Sequence, residues 1–131
     1  MASGKLDLGP LRRSLSALRK VTRMDLEDDV VRDAAVKRFE FTYEMSWKMM
    51  RRHLQWAGAQ DLDYVPRREL FRLAARASLI DDPTRWFAYH EARNLTSHTY
   101  DEVSARKVTA LLGAFVKDTA TLMRRLKEHH A

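Results

Sequence analysis

The chain has 131 residues, of which 45% are hydrophobic and 32% are charged, and it contains no cysteine. This length predicts one domain over residues 1–131 with a core at about residues 11–127. The lack of cysteine excludes a disulfide scaffold, a thiolate metal site and a cysteine nucleophile. The net charge of +6 is compatible with a polyanionic partner.

The sequence carries no sign of membrane insertion or export. No apolar run approaches the roughly 18 residues that a membrane span requires, and the first ten residues lack the apolar core of a signal peptide. We therefore expect a cytoplasmic protein that does not contact a membrane.

The residue types predict an all-α protein. Leu and Ala each occur 16 times, whereas the β-branched residue Ile occurs once, as Ile80. Each of the three prolines, Pro10, Pro66 and Pro83, stands where a helix would begin, and none interrupts residues 11–65 or 84–131. The pattern predicts an antiparallel bundle of five helices with mostly short connections.

The first two predicted helices run from about residue 10 to 23 and from about residue 28 to 57, with Gly58 as a C-terminal cap. The first has one apolar stripe, made of Leu8, Leu11, Leu15, Leu18 and Val21. The second has two stripes, one made of Val36, Phe39, Tyr43, Trp47, Met50 and Leu54, the other of Ala34, Phe41, Met45, Met49 and Trp56. A helix that is apolar on two sides is usually buried between neighbours or shared with a second chain.

The last three predicted helices follow the other two prolines and a capping pattern. Pro66 opens the third helix, and Pro83 opens the fourth, which runs to about residue 98. Thr99 and Glu102 form a capping box that starts a fifth helix, ending at about residue 127. Gly113 lies inside this helix, where it lowers helix stability and leaves room for close packing.

The fourth helix carries a polar face. On a helical wheel the side chains that share this face are His90, Arg93, Asn94, Ser97 and His98. Arg93 and His98 lie at its two edges, about 140° apart on an ideal helix. They could act on the same atom if the helix ends before His98, or if a second copy of the face approaches across a two-fold axis.

Such a face could cleave phosphodiesters without a metal. His98 could transfer a proton near neutral pH, and Arg93 could hold the phosphate and stabilise the charge that develops on it. RNA supplies its own nucleophile, the 2′-hydroxyl. Asn94 and Ser97 could orient the phosphate or the imidazole, and Tyr100 would lie beside the site with its hydroxyl exposed.

The same residues also have structural interpretations. Arg93 could pair with Glu40, Glu44 or Glu91, and His90 could join the site or serve only as a hydrogen-bonded structural residue. Glu40 and Glu44 lie four residues apart on one helical face, where they could bind a metal or steer Arg93. We predict no metal site, and a role of these two carboxylates in supporting Arg93 from behind stays open. Glu44 could instead bridge to Lys48.

Other titratable and basic residues lie outside this face. We expect surface positions for the three remaining histidines, which are His53, His129 and His130. A run of arginines in the third helix could line an RNA path, although most charge runs are solvated helix faces: these are Arg67, Arg68, Arg72 and Arg76.

Residues 93–100, Arg-Asn-Leu-Thr-Ser-His-Thr-Tyr, resemble the Arg-x4-His-x-Tyr motif of HEPN domains (higher eukaryotes and prokaryotes nucleotide-binding), including the polar residue after the arginine. The segments 32–36, 38–44 and 47–48 of the second helix, with the run 94–102, resemble the nucleotidyltransferase substrate-binding branch of that family. The resemblance covers roughly residues 11–127 in order.

The resemblance implies an up-and-down bundle of four to five helices that forms a homodimer, with the motif in a cleft at the dimer axis. It implies a HepT-like toxin, a metal-independent endoribonuclease with Arg93 and His98 as catalytic residues and no cofactor. The antitoxin would be a minimal nucleotidyltransferase, which in some systems transfers AMP to the motif tyrosine, here Tyr100. An older interpretation makes such a chain a non-catalytic nucleotide- or substrate-binding subunit of that transferase.

Overall fold

The computed structural model describes residues 6–98 and 101–130, except for the side chain of His98. These ranges form six α-helices: α1 (Gly9–Thr22), α2 (Asp29–Trp56), α3 (Arg67–Arg76), α4 (Pro83–Leu95), α5 (Glu102–Ala110) and α6 (Leu112–His130). Short 3₁₀ turns at Leu62–Tyr64 and Thr96–His98 complete the regular structure of the described residues, which contain no strand. The predicted all-α class is confirmed. None of the helices in these ranges combines the length and the apolar character that a bilayer crossing requires.

Helix α2 is the centre of the packing, because all five other helices contact it. The core is built around aromatic rings that are at most 1% exposed: Phe39, Tyr43, Phe71, Trp86, Tyr89 and Phe115. The rings of Phe39 and Phe115 meet edge-on, with centroids 4.8 Å apart. Burying a side chain of this size contributes roughly 1.5–3 kcal/mol, so this cluster adds substantially to the stability of the bundle.

The predicted ends of α1 and α2 and the predicted start of α3 agree with the structure to within one residue. Asp28 caps α2 by accepting hydrogen bonds from the backbone N–H groups of Val30 and Val31. Gly58 follows the last turn of α2 with φ of +109°, a conformation that favours glycine. Pro66 stands directly before α3, where its missing N–H removes no helical hydrogen bond.

The two apolar stripes of α2 have different surroundings. The first is buried against the other helices, apart from the half-buried Trp47. In the second stripe Met49 is buried, but Met45 is only half-buried and Phe41 is 57% exposed. Phe41 and Met45 line a groove of about 440 Å³ between α1 and α2, together with Glu44. The described residues of one chain therefore leave this second stripe partly uncovered.

The prediction of a single fifth helix is wrong in two respects. The segment forms two helices, α5 and α6, which are separated at Leu111. The N–H of Leu111 bonds to the carbonyl of Val108, three residues back, whereas an α-helical bond would reach four residues back. Gly113, just beyond the break, is exposed, and apart from the adjacent backbone of its own helix no atom of the described residues lies within 4 Å of where a Cβ would be, so it serves no close packing. Its low helix propensity favours a break at this point.

The predicted capping box at the start of this segment is also replaced. Asp101 is the N-cap of α5, and its carboxylate accepts from the N–H of Val103 at 3.0 Å. Glu102 pairs with Arg106 one turn later, at 3.0 Å. Thr99, the predicted cap, lies outside the described residues.

The prediction of surface positions for the remaining histidines is wrong for two of the three. His53 is 3% exposed and His130 is 7% exposed, and their Nδ1 and Nε2 atoms lie 2.9 Å apart. His129 is exposed, with its ring centroid 4.7 Å from that of His53. The reason is that α6 extends to His130 and packs its last turn against the end of α2.

Candidate functional site

The predicted polar face lies at the carboxyl end of α4, where the helix changes its winding. Helix α4 ends at Leu95, and the chain continues as a 3₁₀ turn over Thr96–His98. The α-helix thus ends three residues before the predicted end at about residue 98, so of the two predicted arrangements the one in which the helix ends before His98 is observed. The side chain of His98, predicted to be catalytic, and the predicted site residue Tyr100 lie outside the described part of the chain.

Arg93 is held on three sides by polar side chains. Its Nε donates to Oε1 of Glu44 at 3.1 Å, and Nη1 donates to Oγ1 of Thr96 at 3.0 Å. Its Nη2 lies 4.0 Å from Oε2 of Glu40. The side chain of Arg93 is 31% exposed, so part of its five-donor guanidinium faces solvent. Glu91, the third predicted partner, pairs with Arg68 at 3.3 Å instead.

Glu44 is itself fixed by a second hydrogen bond. Its Oε2 accepts from the indole Nε1 of Trp47 at 2.9 Å, one turn along α2. Among the described residues Glu44 forms no ion pair with Lys48, the alternative partner, whose ammonium lies over the Trp47 ring at 5.8 Å. A carboxylate with both oxygens engaged holds the Arg93 guanidinium in one direction.

His90 is linked to α2 and α3 rather than to Arg93 directly. Its Nδ1 lies 2.7 Å from the hydroxyl of Tyr43, which also accepts from Nη1 of Arg67 at 3.0 Å. Burial, assisted by the positive charges of Arg67 and Arg68, lowers the pKa of His90. Burial raises the pKa of Tyr43 to about 12, so its hydroxyl keeps its proton at neutral pH.

Arg67 joins these two groups of contacts. Its guanidinium lies 3.6 Å from the centroid of the Trp47 ring, a close cation–π stack. One route of contacts leads from Arg67 through Tyr43 to His90, and the other leads through Trp47 and Glu44 to Arg93. We call this set the Arg67 network; its members are Glu40, Tyr43, Glu44, Trp47, Arg67, His90, Arg93 and Thr96.

Two of the three predicted supporting residues lie beside this network, and the third, Tyr100, lies outside the described residues. Asn94 and Ser97 are both exposed, and the Ser97 hydroxyl donates to the carbonyl of Asn94 at 3.0 Å. Thr96, which is 7% exposed, is the hydroxyl residue that contacts Arg93. The sequence contained a signal for this contact, because Thr96 follows Arg93 by three positions, the spacing of neighbours on a helical face.

The carboxylates of the site face a cation that belongs to the protein. Among residues 6–98 and 101–130 no group of three or more His, Asp or Glu side chains is placed to hold a metal ion. Glu40 and Glu44 both face Arg93, which compensates their charge. What the arrangement offers is a guanidinium with its inner donors anchored and its outer side open to an anion such as a phosphate.

Comparisons with known proteins identify the family of this chain. Residues 6–128 match the family described as nucleotidyltransferase substrate binding protein like. A probable ribonuclease HepT from Haemophilus influenzae is 32% identical, over 99% of this chain and 98% of that protein.

Two solved structures have the same fold. One is an H. influenzae protein described as revealing the fold of a substrate-binding domain of a nucleotidyltransferase; it has a TM-score of 0.85 and 32% identity, covering 92% of this chain and 99% of that one. The other, from Thermus thermophilus, has a TM-score of 0.80 and 28% identity, covering 88% of this chain and 98% of that one. The chain therefore belongs to the nucleotidyltransferase substrate-binding-protein-like family, the HepT-like branch of the HEPN proteins that its motif resembles.

Proposed function

We propose that this protein is a metal-independent endoribonuclease, the toxin of a pair whose antitoxin is a minimal nucleotidyltransferase. The observation that carries the proposal is the anchoring of Arg93 by Glu44 and Thr96 at the end of α4, five residues before His98 in the motif. A related protein is named a probable ribonuclease, which supports the same activity.

The proposed reaction is an internal attack within RNA. His98 removes the proton of a 2′-hydroxyl, whose oxygen attacks the adjacent phosphorus while the bond to the 5′-oxygen of the next nucleotide breaks. The leaving oxygen takes up a proton from water, and His98 later returns its own proton to the solvent. The products carry a 2′,3′-cyclic phosphate and a 5′-hydroxyl. Arg93 holds the phosphate and stabilises the charge that grows on its oxygens. Asn94 and Ser97 act at the exposed rim of this site.

We further propose that the protein acts as a homodimer through the second stripe of α2. Phe41 is 57% exposed and Met45 is half-buried, in a groove that Glu44 also lines. A second copy on this groove would bury apolar surface and lie next to the carboxylate that holds Arg93. The two copies of the motif would then share one cleft.

The proposed partner follows from the family to which the chain belongs. Its name implies work with a nucleotidyltransferase, and transfer of AMP to Tyr100 would place a bulky anion two residues from His98. The modification would exclude RNA by charge repulsion and by bulk. We propose Tyr100 as the acceptor of AMP on the strength of the sequence motif.

The test is RNA cleavage by the purified, unmodified protein in the presence of EDTA. We expect cleavage by the wild type and its loss, by at least about a hundredfold, in Arg93→Ala and His98→Ala. Arg124→Ala and His129→Ala replace exposed residues of α6 and serve as matched controls. Circular dichroism and thermal unfolding check that each variant folds. A wild type that leaves varied RNAs intact contradicts the proposal.

A second candidate is a non-catalytic subunit that binds nucleotide or substrate for the transferase. The α2 groove favours it, because an apolar floor of Phe41 and Met45 lies beside the basic residues Arg38 and Lys48. This candidate predicts nucleotide binding in calorimetry and a stable complex with the transferase, without cleavage of RNA. Binding that is lost in Phe41→Ser and Lys48→Ala, with no nuclease activity, would support it over the first.

A further inference from the structure

A buried hydroxyl connects His90 to an arginine on another helix. Tyr43 is fully buried, and its oxygen lies 2.7 Å from Nδ1 of His90 and 3.0 Å from Nη1 of Arg67. The other charged groups that face His90 are Glu44 from α2, Arg68 from α3 and Glu91 from its own helix. Within the described ranges no carboxylate takes a hydrogen bond from the Tyr43 hydroxyl.

The groups that can donate and those that can accept hydrogen bonds determine where the protons lie between Arg67, Tyr43 and His90. A guanidinium can only donate, so Arg67 uses a lone pair of the Tyr43 oxygen. The single hydroxyl proton of Tyr43 then points to Nδ1 of His90, since a buried O–H without an acceptor is costly. An imidazole that accepts at Nδ1 is neutral and carries its proton on Nε2. Arg67 and Tyr43 therefore select one tautomer of His90.

The outer nitrogen of His90 is left for a ligand. His90 is half-buried, with Nδ1 turned toward the buried Tyr43, and Nε2 has no partner among the described residues. Arg93 lies one turn further along α4, at a separation of about 5–6 Å between Cβ atoms. Both side chains are held by adjacent residues of α2, His90 by Tyr43 and Arg93 by Glu44. Because residues three positions apart share one face of a helix, we place the Nε2–H group and the open side of the guanidinium on the same face of α4.

We propose that His90 binds the RNA backbone, donating from Nε2–H to an oxygen of the phosphate that Arg93 holds, and that Tyr43 and Arg67 are positioning residues that keep His90 in this form. The inference rests on the proposed function, because the phosphate is that of an RNA substrate. It assigns to His90 a role different from the proton transfer of His98. A neutral donor binds phosphate without exchanging a proton with it.

The first test is a long-range ¹H–¹⁵N spectrum of the full chain with labelled histidines, at neutral pH and without RNA. We expect the His90 signal, identified by its absence in His90→Gln, to show a neutral ring protonated only on Nε2. Tyr43→Phe removes one hydroxyl and keeps the ring, and it should convert this signal to that of mixed tautomers. A proton on Nδ1, or a charged ring, in the wild type would overturn the inference.

The second test measures binding of a mixed-sequence 2′-O-methyl RNA, which cannot be cleaved by internal attack. We expect His90→Leu to weaken binding about tenfold or more, and His90→Gln, whose amide N–H replaces Nε2–H, to retain most of it. His129→Leu, which replaces an exposed histidine at the end of α6, is the control. Equal binding by wild type and His90→Leu, or no binding by the wild type, would overturn the inference.

The two proposals fail in different ways. If the wild type binds the methylated RNA through His90 but does not cleave ordinary RNA, the nuclease proposal fails and the role of His90 stands. If the wild type cleaves RNA, and His90→Leu binds and cleaves RNA to the same extent as the wild type, the proposed role of His90 is contradicted and the nuclease proposal stands.

Discussion

Glu44 on α2 accepts a hydrogen bond from Nε of Arg93 on α4, at 3.1 Å. The contact joins residues 49 positions apart in the sequence, and a bond from the Trp47 indole to the other carboxylate oxygen holds Glu44 in place. The direction of the Arg93 guanidinium is therefore set by α2 as well as by its own helix. This relationship makes α2 part of the site.

Removal of Glu44 should release Arg93. We expect Glu44→Ala to lower kcat/KM for RNA by about tenfold or more, because a misdirected guanidinium stabilises the transition state less well. Glu44→Gln retains an acceptor for Nε and should lose less. Glu128→Ala is the control, since Glu128 is an exposed residue of α6 and is not a member of the Arg67 network. Full activity in Glu44→Ala would show that the contact does not direct Arg93.

A lysine at position 93 should not support the activity that Arg93 supports. The guanidinium bonds Glu44 and Thr96 with two of its nitrogens and still has donors for a phosphate. An ammonium is a single point charge and cannot serve all three partners from one position. We expect Arg93→Lys to be nearly as inactive as Arg93→Ala in the same cleavage assay, with an unchanged circular dichroism spectrum. Activity within about threefold of wild type would argue against the anchored geometry.

Two phenylalanines of α2 should behave in opposite ways. Phe39 is fully buried, and Phe39→Ala should cost about 3–5 kcal/mol in the free energy of unfolding. Phe41 is 57% exposed, and Phe41→Ala should change this free energy of the single chain by less than about 0.5 kcal/mol. Urea titration of both variants measures the difference, and equal losses would contradict the burial of these two rings.

The same Phe41 variant tests the proposed dimer. In sedimentation experiments Phe41→Ala should raise the dissociation constant of the homodimer, because it removes apolar area from the exposed stripe. Urea unfolding at several protein concentrations separates this effect from folding. A dimer of unchanged strength in Phe41→Ala would place the interface elsewhere.

The buried pair of histidines predicts a pH-dependent stability. Burial, followed by the charges of His129 and His130, lowers the pKa of His53 to about 4 from an ordinary value of 6.5. Between these two values the folded chain binds fewer protons at His53 than the unfolded chain. The free energy of unfolding should therefore fall as the pH is lowered through this window, by up to about 3 kcal/mol.

His53→Gln isolates this contribution from the carboxylates that titrate over the same range. The difference in unfolding free energy between wild type and His53→Gln, measured by urea titration, should change between pH 6.5 and pH 4. If the two proteins lose stability in parallel over this range, the pair does not act in this way.

Much of the fold is predictable from local pattern. The proline positions and the spacing of leucines locate the starts of α3 and α4 and the buried face of α1 because these signals act within a few residues. The break at Leu111 is not predictable from the apolar stripe, since Val108, Leu112 and Phe115 keep a helical spacing across it and all are buried.

The contacts between helices could not be predicted from the sequence and are seen only in the structure. The spacing on α2 indicated that Glu40 or Glu44 could steer Arg93, but only the packing of α4 against α2 shows that Glu44 is the closer partner. The pairing of His53 with His130, 77 positions apart, depends on where two helices end relative to each other. Arg67 gave only the signal of a basic run, and its stack on Trp47 arises from the approach of α3 to α2.

The most direct test of the central claim uses a DNA oligonucleotide that contains a single ribonucleotide, incubated with the unmodified protein in EDTA. Cleavage by internal attack predicts that the wild type makes one cut, directly after the ribonucleotide, and leaves a 2′,3′-cyclic phosphate on that ribonucleotide. Arg93→Ala and His98→Ala should form none of this product. Cleavage of the all-DNA control, or no cleavage at the ribonucleotide by a wild type that folds and dimerises, would contradict the account.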